Sequence, residues 1–206
     1  FSLDELKARP LRAPAQGSWF TLGMIKIKRQ LACNPSVVIA KQAYDKQVGE
    51  ANLKAAAGEK PAPAPAGQAG YVGMEECGYC HKPAVDFWAK TKHANAWETL
   101  DGLNKQFNRD CIGCHVTGWQ EPTGATLGHN EALRDVQCET CHGPGSLHVD
   151  ADGKKMTGMV LAPAADFCAG KCHTPEHSDT FELKAYLRDV LGKGHGDKAR
   201  RKVGDG

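Results

Sequence analysis

The chain has 206 residues, 24% of them charged and 41% hydrophobic, with a formal net charge of +2. That length accommodates one medium or two small domains. Gly 23 and Pro 11, spread along the chain, predict many turns and few long regular elements. No stretch is apolar enough to cross a membrane, and no polybasic run with interleaved aromatics points to nucleic acid. Phe1-Ser2-Leu3-Asp4 has neither a basic start nor an apolar run, so it does not read as a signal peptide.

Residues 1–70 contain no His. Met24-Ile25-Lys26-Ile27-Lys28 alternates as a strand does. Asn34 followed by Pro35 is a helix start, a capping side chain and then Pro at the first helical position. Val37, Lys41, Tyr44 and Val48 recur at helical spacing, which predicts a helix over about 35–57. Residues 59–70 (EKPAPAPAGQAG) read as a semi-extended, unpacked Pro/Ala/Gly linker. The expected organisation is therefore an arm over 1–58, the linker over 59–70, and a main domain over 71–206. In that domain Pro83 to Leu100 reads as one helix, with Ala89, His93, Ala96 and Leu100 on a shared face. Asp179 to Leu191 reads as another, started by an Asp179/Glu182 capping box. Its apolar stripe is Leu183, Tyr186, Leu187, Val190 and Leu191, and Gly192 and Gly194 end it just before His195.

Chemistry is concentrated in four Cys-His couples. Cys77-Gly78-Tyr79-Cys80-His81, Cys111-Ile112-Gly113-Cys114-His115 and Cys138-Glu139-Thr140-Cys141-His142 all read C-x-x-C-H. Cys168-Ala169-Gly170-Lys171-Cys172-His173 is the same device with one residue more. C-x-x-C-H is the attachment signature of c-type haem (heme c): two thiols become thioethers to the porphyrin, and the adjacent His binds iron. Disulfides give no reason for that His, and zinc sites use converging Cys pairs without it. Cys33 is left over, with no second Cys and His behind it to make a further motif. Four such groups predict a mostly α fold with extensive irregular loops, wrapped around a haem stack, because porphyrins supply the apolar surface a core would. Each bis-His ferric haem carries about −1, so the positive formal charge becomes about −2 oxidised and about −6 reduced. Haem attachment takes place outside the bacterial cytoplasmic membrane, so the precursor is expected to be secreted and this chain to be its mature form.

Nine His minus the four motif His leave five: His93, His129, His148, His177 and His195. An electron carrier wants a second strong axial ligand on each iron, and axial ligation is a lever on potential. The two axial ligands lie on opposite faces of the ring. His177, four residues past His173, and His148, six past His142, can hardly travel round the ring edge to their own motif's haem. His148 therefore serves another haem, and His177 another or none.

Cys77-x-x-Cys80-His81 followed by Trp88, Thr91, His93, Ala94, Ala96 and Leu100 resembles the nitrifier tetrahaem cytochromes that accept electrons from hydroxylamine oxidoreductase. Asp110 to Val116 with Gly118, and Val136 to Gly145 (VQCETCHGPG) with His148, extend the resemblance, which covers about 71–195. It implies that His148 is distal to the His81 haem, His93 to the His142 haem and His195 to the His173 haem. It leaves the His115 haem open, with His129 the first candidate for its sixth ligand and His177 the second. The longer fourth motif, residues 1–70, His129 and His177 depart from the family pattern. The arm and the spare His are also similar to extracellular tetrahaem cytochromes of the OmcE type, which polymerise and take one axial His from a neighbour.

The first reading is thus a non-enzymatic electron conduit, a subunit of an extracellular filament with haems stacked across copies. The alternative is a monomeric periplasmic shuttle that exchanges electrons with other redox proteins. A third is a haem enzyme acting at an open His115 iron, although Val116-Thr117-Gly118-Trp119 after it offers no acid/base cluster.

Overall fold

The computed structural model describes residue 17 and residues 32–203. The alternation at 24–28 lies outside the described residues. The chain divides into two compact units, Phe1–Val38 and Ile39–Gly206. The first contributes the start of helix α1, Pro35–Ala55. Asn34 caps it as expected: its Oδ1 accepts from the Ser36 N–H at 3.0 Å and from the Ser36 hydroxyl at 2.8 Å.

The second unit is built of short helices joined by irregular chain. After α1 come α2 (Met74–Trp88), α3 (Ala96–Asp101), α4 (Arg109–Ile112), α5 (Cys138–His142), α6 (Ser146–Asp150), α7 (Phe167–Lys171), α8 (Leu183–Val190) and α9 (Asp197–Val203). The only sheet-like pairing among the described residues is one antiparallel bridge, Val116 to Arg134. The expected fold class, mostly α with extensive loops, is the one observed.

Two helices differ from the expectation. The segment predicted as a single helix from Pro83 to Leu100 is split. Its first half belongs to α2, which starts at Met74 and kinks at His81 (φ −109°, ψ 32°), two residues before Pro83, whose ring and missing N–H disturb the preceding turn. His93 to Asn95 then form a 3-10 turn before α3. The tie that bends the chain there is tertiary: Val136 N–H donates to the His93 carbonyl at 3.1 Å, and the Trp88 indole donates to the Val136 carbonyl at 2.8 Å. In the second case the capping box is replaced by a single cap. Glu182 itself precedes α8 and accepts from the Lys184 and Ala185 N–H groups.

The Pro-rich segment 59–70 has no regular structure, as its composition dictates, but it is packed. The Ala62 carbonyl accepts from Thr123 N–H at 2.7 Å, and Gly70 N–H donates to the Ser146 hydroxyl at 2.9 Å. The hydrophobic core is small. Ala56, Ile112, Val116, Ala125, Leu127 and Leu133 form it, with Tyr71, Trp97, Phe107 and Trp119 packed around. The second half of α1 joins it: Gly49 lies against Phe107, and the Asn52 side chain donates to the Phe107 carbonyl at 2.9 Å. Most of this core flanks the second motif, so it holds Cys111 to His115 in place.

Leu127 is 1% exposed. Leu127→Ala is expected to destabilise the fold by about 3 kcal/mol, read as a lowered thermal midpoint with haem content unchanged.

Candidate metal centres

Each of the three C-x-x-C-H motifs sits on or at the end of a short helix: α2 carries the first, α4 leads into the second, and α5 is the third. The fourth lies on α7 and the residues just after it, where the additional residue is absorbed by the turn. One helical turn puts both sulfurs on the same side of the chain and the His beyond them.

The motif sulfurs are juxtaposed across motifs. Cys77 and Cys138 lie close enough to act on each other, which holds the Cys138 thiol below its ordinary pKa and pushes Cys77 up. Cys114 and Cys172 form a second such pair. The neighbouring Cys172 brings Cys114 down to about 6, and Cys172 goes up. The Cys114 sulfur also lies 3.6 Å from the Lys171 carbonyl. Burial, then the neighbouring Cys168, pushes Cys141 up to about 11. In space the motifs therefore follow the order first, third, fourth, second.

The imidazoles are paired in the same way. The His81 and His148 rings face each other with centroids 6.3 Å apart and planes 16° from parallel. This is the pairing the resemblance implied. His93 and His173 stand 6.2 Å apart at 46°. His195 lies within electrostatic reach of His142, and its buried Nδ1 has no hydrogen-bond partner. These two pairings exchange the partners that the resemblance implied for His93 and His195. The reason is the break in the predicted helix: the turn at His93, tied to Val136, aims the ring toward the fourth motif. Burial holds His93, His173 and His195 below the ordinary imidazole pKa, with His173 adding to the effect on His93 and His142 to that on His195. The neutral form is the one that ligates metal.

Several rings are oriented through Nδ1. His142 Nδ1 donates to the Val160 carbonyl at 2.9 Å, and His148 Nδ1 to the Lys155 carbonyl at 2.6 Å. His115 Nδ1 donates to the Ala96 carbonyl at 2.5 Å, and His173 Nδ1 bonds the Ser178 hydroxyl at 3.3 Å. An Nδ1–H engaged in this way leaves Nε2 as the lone-pair nitrogen, the arrangement found behind metal-bound His. Among the described residues no imidazole stacks on His115. His129 is exposed, its backbone paired with Thr126. His177 is exposed too, and near enough to Cys114 to lower that thiol. Cys33 is exposed.

These residues fit haem. With metal–nitrogen bonds of about 2 Å and a ring radius of about 1 Å, two imidazoles on one iron have centroids about 6 Å apart. Among the described residues no group of three or more His, Cys, Asp or Glu converges to hold a metal ion. A zinc site needs such a group, whereas a porphyrin supplies four ligands and asks the protein for two. Tyr79, Met156, Val160 and Leu161 also expose large apolar side chains, and each lies in or beside a motif or ligand segment.

Three polar residues that composition and spacing did not single out hold the motifs together. Thr117, fully buried, donates to the Asp135 carbonyl and accepts from Gln137 N–H and the Thr140 hydroxyl. Gln137 accepts from Met74 N–H at the start of α2 and donates to the Ala132 and Arg134 carbonyls. Glu139 accepts backbone N–H groups from Val72, Gly73 and Gly145. Burial pushes its carboxyl above the ordinary range, against the pull of those donors. Their only sequence signal is position, beside or within a Cys-His couple.

Residues 76–143 match the family model described as cytochrome c554 and c-prime. Cytochrome c-554 of Nitrosomonas europaea is 34% identical over 96 residues, which are 39% of this chain and 41% of that protein. The match thus spans about two fifths of that relative's length. The structure of the reduced state of cytochrome c554 from the same organism aligns with TM-score 0.48 at 25% identity, over 62% of this chain and 86% of that one.

Gly143 follows His142 with φ 86°, and a Cβ there would come 2.5 Å from the Gly158 carbonyl oxygen. Gly143→Ala is expected to cost about 1–3 kcal/mol and to loosen the segment that holds the His142 ring. Thermal denaturation checks the first effect, and a changed absorption band at one haem the second.

Proposed function

We propose that this chain is an electron-transfer protein that carries four covalently attached haem c groups, at Cys77/Cys80, Cys111/Cys114, Cys138/Cys141 and Cys168/Cys172. The near-parallel, 6.3 Å facing of His81 and His148 carries this reading, and the family match over 76–143 supports it. When bound, haem iron takes up and releases one electron at a time. The protein's part is to fix ligands and spacing. His81 with His148, His142 with His195, and His173 with His93 would hold three of the irons, and His115 would hold the remaining one. Because the ligands come from separate segments, the centres move little relative to one another, which keeps the reorganisation on electron uptake small. The relay would run His81, His142, His173, His115, following the proximity of Cys77 to Cys138, Cys141 to Cys168, and Cys172 to Cys114.

The role that fits is a periplasmic shuttle between other redox proteins. On this reading three of the four centres would have both ligands within the chain, so assembly is not required to complete them. Among the described residues no helix is long and apolar enough to cross a membrane. A second reading, a filament subunit in which a neighbour's His caps the His115 centre, is favoured by exposed Val37, Ile39 and Tyr44 on α1.

Intact mass is expected to exceed the polypeptide mass by four haems, and Cys168→Ser with Cys172→Ser to leave three. Electron paramagnetic resonance of the oxidised monomer is expected to show three low-spin centres and one high-spin centre. His148→Ala adds a second high-spin centre and His129→Ala adds none. A wholly low-spin spectrum that becomes partly high-spin on dilution points instead to the filament.

A further inference from the structure

Glu139 is 1% exposed, one of the most deeply buried side chains of the molecule. Its carboxylate accepts from Val72 N–H with both oxygens at 3.1 Å, from Gly73 N–H at 2.8 Å and from Gly145 N–H at 2.7 Å. Every donor is a backbone N–H, and none of these bonds offers an acceptor to a carboxylic acid proton. The cradle is therefore built for the ionised form. Among the described residues no Lys, Arg or His makes an ion pair with it; the ion pairs lie elsewhere. Its position is the junction between two motifs. It sits between Cys138 and Thr140 in the sequence, grips the turn that opens α2, and acts electrostatically on both Cys77 and Cys138.

We propose that Glu139 is a buried anion that sets the reduction potentials of the two haems attached at Cys77/Cys80 and Cys138/Cys141, holding both below the values they would otherwise have. The inference rests on the four-haem reading above. A fixed negative charge disfavours electron arrival. A unit charge on the order of 10 Å away, at an effective dielectric constant of about 20, changes such an equilibrium roughly tenfold or more. A backbone N–H cradle orients dipoles toward the carboxylate but adds no net charge, so the field on the two haems survives. The haems at Cys111/Cys114 and Cys168/Cys172 share none of these contacts, and the effect on them is smaller. Glu139 thereby biases where electrons reside: the Cys77 end of the relay is the harder to reduce, and electrons drain toward the His115 end.

The test uses the full haem-loaded chain with Glu139→Gln and Glu139→Asp. Intact mass first counts haems; a wild-type protein without four of them refutes the four-haem reading and leaves this inference without its basis. Spectroelectrochemical titration then reads the four reduction steps. In Glu139→Gln two of the four are expected to move positive by at least tenfold in equilibrium constant, about 59 mV for one electron. In Glu139→Asp, which keeps the charge, the same two move less. Four steps unchanged, or all four shifted equally, overturn the proposal. If Glu139→Gln loses haem, the wild type decides by redox-difference infrared spectroscopy with isotope-labelled Glu. A carboxylate band perturbed as the last two haems are reduced, and altered in Glu139→Asp, upholds it. A carboxylic acid band in its place, or no band, overturns it.

Discussion

An iron held between two imidazoles needs them on opposite faces of one flat ring, and neighbouring residues on a chain cannot reach both. On the proposed function, that constraint organises the second unit of this protein. His148 comes back from beyond the third motif to face His81, and His93 crosses from beyond the first to face His173. On the proposed reading each such pair would act as a long-range crosslink, closing loops whose conformational cost is offset by metal ligation instead of by apolar burial. The small core around Ile112 and Leu127 would be a slender support for this much chain. It suffices because it has only the second motif to steady.

The first, second and third motifs are joined by polar ties. Thr117, Gln137 and Glu139 are buried and hydrogen-bonded chiefly to backbone groups, so they bear directional contacts between segments. Each spans two motifs or the approach to one. Where a globular protein would use interlocking side chains to hold helices at a distance, these residues fix the spacing of the Cys-His couples through the main chain. The same economy explains the Nδ1 bonds of His115, His142 and His148 to carbonyls: the backbone that sets the spacing also orients the rings.

Electron transfer asks for short distances and little rearrangement, and both follow from this construction. Sulfurs that lie near one another between motifs would bring attached haems close. Ligands anchored on different segments would resist motion of a bound iron. A buried anion at one end of the series adds direction, since spacing alone is symmetric.

The sequence alone determined the chemistry. Adjacency of two thiols and an imidazole is a local property, and so are the capping of α1 by Asn34 and the turn-rich, helical fold class that many Gly and Pro impose. The supply of spare His was legible for the same reason, as was the exclusion of His148 from its own motif's haem. Only the tertiary structure decided which ring faces which, the order of the motifs in space, and the roles of Thr117, Gln137 and Glu139. His93 illustrates why. Its spacing placed it on a helix face, but a bond from Val136, far along the chain, converts that helix to a turn and delivers the ring to His173. Partner choice between motifs depends on contacts of long sequence separation, and no periodicity or local propensity carries that information.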